Sequence, residues 1–119
     1  MSPHRFRSLQ KGISMKFIYP AIFKEEDDVY LVSFPDFEGC QTYGENLIEA
    51  YEMAKEVLEL FICDYFGENI RAVPDPSDPV TLKLDHGSFL SLIYTDFDPV
   101  KTYIESKEAA EAYNRKEKG

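Results

Sequence analysis

The chain has 119 residues, 44% of them hydrophobic and 29% charged, with 22 acidic against 13 basic side chains and a net charge of −9. Such a length fits one domain that buries about two thirds of the surface its unfolded form exposes, without help from a metal or a disulfide. The composition argues against disordered and membrane classes, and a surface of this charge repels nucleic acid phosphates.

Residues 1–14, MSPHRFRSLQKGIS, are polar, basic and without periodicity, and a second methionine follows at Met15. They read as a disordered arm, a tag remnant or an upstream start, with the domain proper over 15–97 and a C-terminal helical segment over 98–119. Arg5, Arg7 and Lys11 lie in this arm, so the remainder carries 10 basic against 22 acidic residues, or −12. No apolar run approaches the roughly 20 residues of a bilayer span, and the arm lacks the apolar centre of a secretory signal. A cytoplasmic location is the expectation.

Lys16–Lys24, KFIYPAIFK, alternates aromatic and β-branched residues and is a strand, with Pro20 favouring an edge or a bulge. Four acids, Glu25–Asp28, make a turn. Val29–Phe34 pairs back as the second strand of a hairpin. Pro35–Gly39 breaks the ladder, Cys40–Tyr43 supplies a short third strand, and Gly44 provides a turn. Asn46 as N-cap with Glu49 three residues on has capping-box spacing, predicting a helix from Leu47 to Phe66 that ends at Gly67. Its apolar stripe is Leu47, Ala50, Tyr51, Ala54, Leu58, Phe61 and Tyr65. Glu45, Glu49, Glu52, Glu56 and Glu59 recur on the opposite side as one anionic stripe.

Pro74, Pro76 and Pro79 make residues 67–79 an extended connection. Val80–Leu84 pairs briefly, Asp85–Gly87 turns, and Ser88–Phe97 is the most apolar strand. Asp98 as N-cap with Pro99 at the first helical position opens a last helix to about Lys116. The fold class is α+β, in the order β-β-β-α-β-α, an antiparallel sheet packed by one long helix. A strand as apolar as Ser88–Phe97 is a poor free edge, so a homo-oligomer, dimer or tetramer, is expected.

Cys40 and Cys63 have no paired spacing and are expected to be reduced, and neither His4 nor His86 has a cysteine at zinc-ligand spacing. No cofactor is expected. Metal-dependent nuclease chemistry needs carboxylates converging from strand and helix, yet the first strand holds no acid inside it and the helix acids face outward. His86 beside Ser88 reads as turn chemistry rather than a catalytic dyad. No phosphate-cradling glycine loop or nucleophile elbow is present.

Two surfaces have the chemistry of partner recognition. The loop Pro35–Gly39 places Phe37 between Asp36 and Glu38, an aromatic anchor with an acidic rim suited to a basic partner, although a turn whose Phe37 caps the core fits the same residues. Along the helix, Glu49, Glu52 and Glu56 offer carboxylates to an arginine-rich surface or merely solvate it. Candidate partner-binding residues are Phe34, Pro35, Asp36, Phe37, Glu38, Glu49, Glu52 and Glu56.

The run Ser33-Phe34-Pro35-Asp36-Phe37-Glu38-Gly39-Cys40, followed by Thr42-Tyr43-Gly44-Glu45-Asn46 and a helix with Glu49-Ala50 and Ala54, resembles the HicB family of bacterial type II antitoxins over about residues 15–97. The resemblance implies a partial ribonuclease H-like fold without nuclease activity that binds and inhibits a small basic HicA-type toxin, an mRNA-cleaving ribonuclease. Family members continue into a ribbon-helix-helix or helix-turn-helix segment that binds DNA. This chain departs there: after Phe97 only one helix is expected, and Arg115, Lys116 and Lys118 are mixed with Glu117, so direct DNA binding is not expected. Alternatives to the inhibitor are an orphan oligomeric adaptor that has lost its toxin and a residual metal-dependent nuclease.

Overall fold

A computed structural model describes residues 14–68 and 73–118; the expectations for the arm before Ser14 lie outside these residues. Four strands, β1 (Met15–Glu26), β2 (Val29–Ser33), β3 (Gln41–Gly44) and β4 (Ser88–Phe97), form one sheet in the order β3-β2-β1-β4. Every neighbouring pair is antiparallel. Helix α1 (Leu47–Glu68) lies on one face of the sheet, and α2 (Pro99–Lys118) packs against α1. The expected β-β-β-α-β-α order is present.

The hairpin between β1 and β2 turns on two residues, Asp27 and Asp28, with φ of 52° and 67°. A two-residue turn with both residues left-handed matches strand twist, and aspartate tolerates that region better than most side chains. The acids at Glu25 and Glu26 therefore belong to the ladder, facing Tyr30 and Val29. Pro20 lies in a strand that is interior to the sheet, yet β2 begins to pair with β1 only at Ile22. At position 20 the strand is locally an edge on that side, which accommodates a residue without an N–H.

Alternation sends Tyr19, Ala21 and Phe23 of β1, Val32 of β2 and Ile93 of β4 inward, where they meet Ala50, Ala54, Leu58 and Ile62 of α1. Phe23 stacks between Tyr51 and Phe89, with ring centroids 4.7 and 5.0 Å away. The helix stripe is thus rotated from the expected one. Leu47 and Tyr51 are exposed, and Ile62 and Cys63, absent from the expected stripe, are buried. Tyr51 still reaches β4, donating its hydroxyl to Ser91 Oγ at 2.7 Å.

Both helix starts follow their sequence signals. Asn46 Oδ1 accepts from Glu49 N at 2.9 Å, and Glu49 Oε1 accepts in return from the backbone of Glu45 at 3.0 Å, one residue earlier than the usual reciprocal bond. Asp98 Oδ1 accepts from Val100 N and Lys101 N at 3.0 and 3.2 Å. Each such cap stabilises a helix by about 1 kcal/mol.

Two local expectations fail. Val80–Leu84 forms no strand: Pro79–Thr81 is a single 3₁₀ turn, capped by Asp78 Oδ1 accepting from Val80 N at 3.0 Å, because proline at its start favours the turn and cannot donate to a ladder. Gly44 makes no turn either. It is the last residue of β3, and a Cβ there would sit 2.3 Å from Ala50 N, so glycine is required by the approach of α1.

Candidate functional site

The loop between β2 and β3 is closed by its own backbone: Phe34 N donates to Cys40 O at 3.0 Å, Phe37 N to Phe34 O and Cys40 N to Phe37 O, both at 3.2 Å. This closure turns both phenylalanines inward. Phe34 and Phe37 are 2% and 3% exposed, so of the two readings of this loop the buried Phe37 matches the turn that caps the core and not the projecting anchor. Phe37 packs edge-on to Tyr19, with centroids 4.8 Å apart, and to Phe61 and Tyr65 at 6.4 and 6.2 Å. Burial of rings outweighs their display, since a fully buried phenylalanine contributes about 1.5–3 kcal/mol.

Asp36 is also committed internally. Its Oδ2 accepts from Ser77 N at 3.0 Å and its Oδ1 from the Ser77 hydroxyl, tying the loop to the connection that follows α1. Tyr19 donates its hydroxyl to Pro74 O in the same connection. Burial, with Asp36 and Asp75 nearby, pushes the Tyr19 hydroxyl up to about 12. Pro35 and Glu38 remain exposed.

What the loop presents outward is a recess. Phe37, Phe61 and Tyr65 line a cleft of about 450 Å³, with the exposed carboxylates of Glu38 and Asp64 at its edge. A ring-lined pocket rimmed by two anions suits an arginine or lysine side chain, because ring faces and carboxylates both attract a cation. Sequence reasoning assigned Glu38 and Phe37 to this neighbourhood and missed Phe61, Asp64 and Tyr65. The available signal was the 61/64/65 spacing near the end of α1, which puts the three side chains on adjoining parts of one helix surface.

The anionic stripe on α1 is divided among different tasks. Glu52 and Glu56 are exposed and four residues apart, Glu45 is exposed ahead of the helix, and half-buried Glu49 caps it. Glu59 is half-buried and engaged with the sheet: its carboxylate accepts from the hydroxyl of fully buried Thr95 in β4. Of the eight expected partner-binding residues, Pro35, Glu38, Glu52 and Glu56 are exposed, Asp36 and Glu49 are half-buried, and Phe34 and Phe37 are buried.

Cys40 and Cys63 are free and buried. Burial pushes the Cys40 thiol up to about 12 and, with Asp64 nearby, the Cys63 thiol up to about 11. Thiols held protonated in this way are poor nucleophiles. Among the described residues, no group of three or more His, Cys, Asp or Glu side chains is placed to hold a metal ion, and no helix is long and apolar enough to cross a membrane.

The profile of the family described as "HicB_like antitoxin of bacterial toxin-antitoxin system" matches residues 18–85, from the middle of β1 to the turn before β4. The chain belongs to this antitoxin family. The chain is 30% identical over 90 residues to an uncharacterized 14.9 kDa protein in the rep-hol intergenic region of Haemophilus phage HP1, across 76% of this chain and 66% of that protein. It therefore spans just under two thirds of that relative's length. A UPF0150 protein of Archaeoglobus fulgidus is 42% identical over 48 residues, which are 40% of this chain and 68% of that one. Among solved structures, a chain of a toxin-antitoxin complex from Streptococcus pneumoniae is similar at a TM-score of 0.64 and 29% identity, over 74% of this chain and 73% of that chain. A chain of the HicA3 and HicB3 toxin-antitoxin complex is similar at a TM-score of 0.53 and 24% identity, over 64% of this chain and 94% of that chain, a likeness of fold alone.

Proposed function

We propose that this chain binds and inhibits a HicA-type mRNA-cleaving toxin, acting by occupation of a surface and not by chemistry of its own. The observation that carries the reading is the cleft lined by Phe37, Phe61 and Tyr65 with Glu38 and Asp64 at its edge, on a chain of net charge −9. A ribonuclease must be cationic where it holds RNA, and an anionic protein with a receptor for one basic side chain competes for that surface. Glu52 and Glu56 extend the attraction along α1, while Phe34, Asp36, Phe37 and Glu49 hold the contact residues in place from within. Membership of the antitoxin family supports the same role. The meander of three strands followed by a helix on one face supports reading 15–97 as a partial ribonuclease H-like, toxin-binding unit.

The test is copurification with a HicA-type ribonuclease, followed by an RNA cleavage assay. RNA survives when this protein is added in stoichiometric amount, and survival is lost when Glu38 and Asp64 are both changed to lysine. Unimpeded cleavage in the presence of the intact protein sinks the reading.

A further inference from the structure

We propose that the recess between the outer face of the sheet and the connection leading into β4 is a binding site for a small organic monoanion, a carboxylate joined to a short apolar chain. Alternation puts Tyr19, Ala21 and Phe23 of β1 under α1, so Ile22 and Lys24 point to the other face, where Ser33 and Leu31 of β2 stand beside them in the ladder. The 3₁₀ turn Pro79–Thr81 follows Ser77, which is tied to Asp36, and the chain enters β4 at Ser88, opposite Lys24. Residues 82–87 therefore cross this face as a strap, held at its ends by Leu82 N donating to Pro79 O at 3.4 Å and Ser88 N to Asp85 O at 3.1 Å. Lys83 and Asp85 of the strap enclose, with Ile22, Lys24, Leu31 and Ser88, a recess of about 310 Å³.

Charge and shape select the occupant. Lys16, on the same strand and face, has Asp96 directly across from it, whereas the cross-strand neighbours of half-buried Lys24 are Leu31 and Ser88, and neither offers its ammonium a carboxylate. Lys83 adds a second ammonium from the strap, and Asp85 is the one carboxylate of the lining, so the recess is locally cationic on a molecule of net charge −9. Ser33 and Ser88 add hydroxyl donors. The floor is apolar, with Ile22 half-buried and Leu31 40% exposed. A single anion carrying a hydrocarbon portion satisfies both features, since an ammonium bonds most strongly to a charged acceptor and apolar surface gains by being covered. A polyanion is turned away: the four acids Glu25–Asp28 begin one residue beyond Lys24, and the net charge of the molecule opposes a chain of phosphates. The volume lies near the lower limit of small-molecule pockets, about 300–1,000 Å³, which suits a ligand of metabolite size. This site is on the face of the sheet away from α1 and the Phe37 cleft, and the inference stands without the proposed toxin.

Titration of the full chain with sodium hexanoate, followed in amide nitrogen–proton correlation spectra, tests it, with sodium chloride at matched ionic strength as the blank. The expected result is saturable shifts of the Ser33, Lys83 and Ser88 amides in the millimolar range. Hexanol, the same hydrocarbon without the charge, binds with a dissociation constant higher by about tenfold or more. Lys24→Gln and Lys83→Gln each weaken hexanoate binding by a similar factor, and Asp85→Asn tightens it because the opposing carboxylate is gone. Glu38→Gln, at the Phe37 cleft, leaves it unchanged. The spectrum of each variant without ligand verifies its fold; if Lys24→Gln does not fold, the strap variants Lys83→Gln and Asp85→Asn decide, since both positions are exposed. Absence of saturation, hexanol bound as tightly as hexanoate, a Lys83→Gln variant of unchanged affinity, an Asp85→Asn variant of weakened affinity, or equal weakening by Glu38→Gln overturns the proposal.

Discussion

Thr95 in β4 donates its hydroxyl to the carboxylate of Glu59 on α1, a contact across 36 residues of sequence that fixes how the helix sits over the outer strand. Thr95 is fully buried, so its hydroxyl has little access to water if the carboxylate is taken away. Leaving such a donor unsatisfied costs about 1–3 kcal/mol, whereas removing both polar groups together is close to neutral. Glu59→Ala is therefore expected to destabilise the protein by about 1–3 kcal/mol, and Glu59→Gln by much less because an acceptor remains. In the Thr95→Val background, Glu59→Ala costs less than it does alone. Urea unfolding of the four-variant cycle measures the coupling, and equal cost in both backgrounds refutes this assignment for Glu59.

Gly44 and Ala50 meet more closely than any side chain at 44 permits. The added Cβ of Gly44→Ala would lie 2.3 Å from Ala50 N and 2.6 Å from Ala50 Cα, and backbone cannot swing aside as a flexible side chain does. Either β3 or the first turn of α1 must move, at a cost of about 1–3 kcal/mol typical of overpacking. Displacing that turn also strains the Asn46 and Glu49 caps. Gly39, with φ of 77° and open space around it, responds through a different mechanism: Gly39→Ala carries backbone strain of about 1 kcal/mol but no clash. Chemical denaturation should rank Gly44→Ala as the more damaging; the reverse order would mean that α1 does not bear on β3 as described.

The features readable in the sequence were those whose causes are local. Asn46 with Glu49, and Asp98 with Pro99, announce helix starts because a cap acts within four residues. Alternation in β1 announces its two faces because pleating is a property of the strand itself. Misreadings arose where a distant element decides. Gly44 looks like a turn residue until α1 is laid against it, and Val80–Leu84 looks like a strand although the capped 3₁₀ turn Pro79–Thr81 takes its first residues. Phe37 between two acids looks exposed, yet its loop is closed by Phe34 and Cys40 and braced by Ser77, 41 residues beyond Asp36. The recess lined by Phe37, Phe61 and Tyr65 belongs to two elements at once, so the sequence indicated its charge and aromatic character without its concave shape.

Three buried acids should make stability fall in base. In the folded chain Cys40 and Tyr19 are raised to about 12 and Cys63 to about 11, chiefly by burial, with Asp64 and Glu59 acting on Cys63 and Asp36, Asp75 and Tyr65 on Tyr19. The unfolded chain loses the same protons near 9.0 for the thiols and 10.0 for the tyrosine. A folded pKa above the unfolded one means that the contribution is complete below pH 9 and is lost as pH rises through the folded values. Each group adds a slope approaching about 1.4 kcal/mol per pH unit while only the unfolded form has ionised. Unfolding free energy should thus show no pH dependence from these groups below pH 9 and decline steeply above it, and Cys40→Ala should flatten part of the decline. Thiol-specific reagents at pH 8 should label both cysteines only after denaturant is added, and rapid labelling of the native protein would contradict their burial.

Charge reversal at the cleft edge separates recognition from folding. Glu38 and Asp64 are exposed, so Glu38→Lys and Asp64→Lys should alter stability by no more than about 0.5 kcal/mol. Phe37→Ala opens a void among Tyr19, Phe61 and Tyr65 and should cost about 3–5 kcal/mol. Against a HicA-type toxin, the two edge reversals should slow association, with a loss that shrinks as salt is added, because they act on long-range attraction. Glu52→Lys and Glu56→Lys should act in the same sense along α1. Glu59→Gln should not, since that carboxylate already serves Thr95. Stopped-flow association at low and high ionic strength provides the comparison. Equal effects from Glu59 and Glu38 would show that total charge, and not the acid-rimmed cleft, governs the encounter.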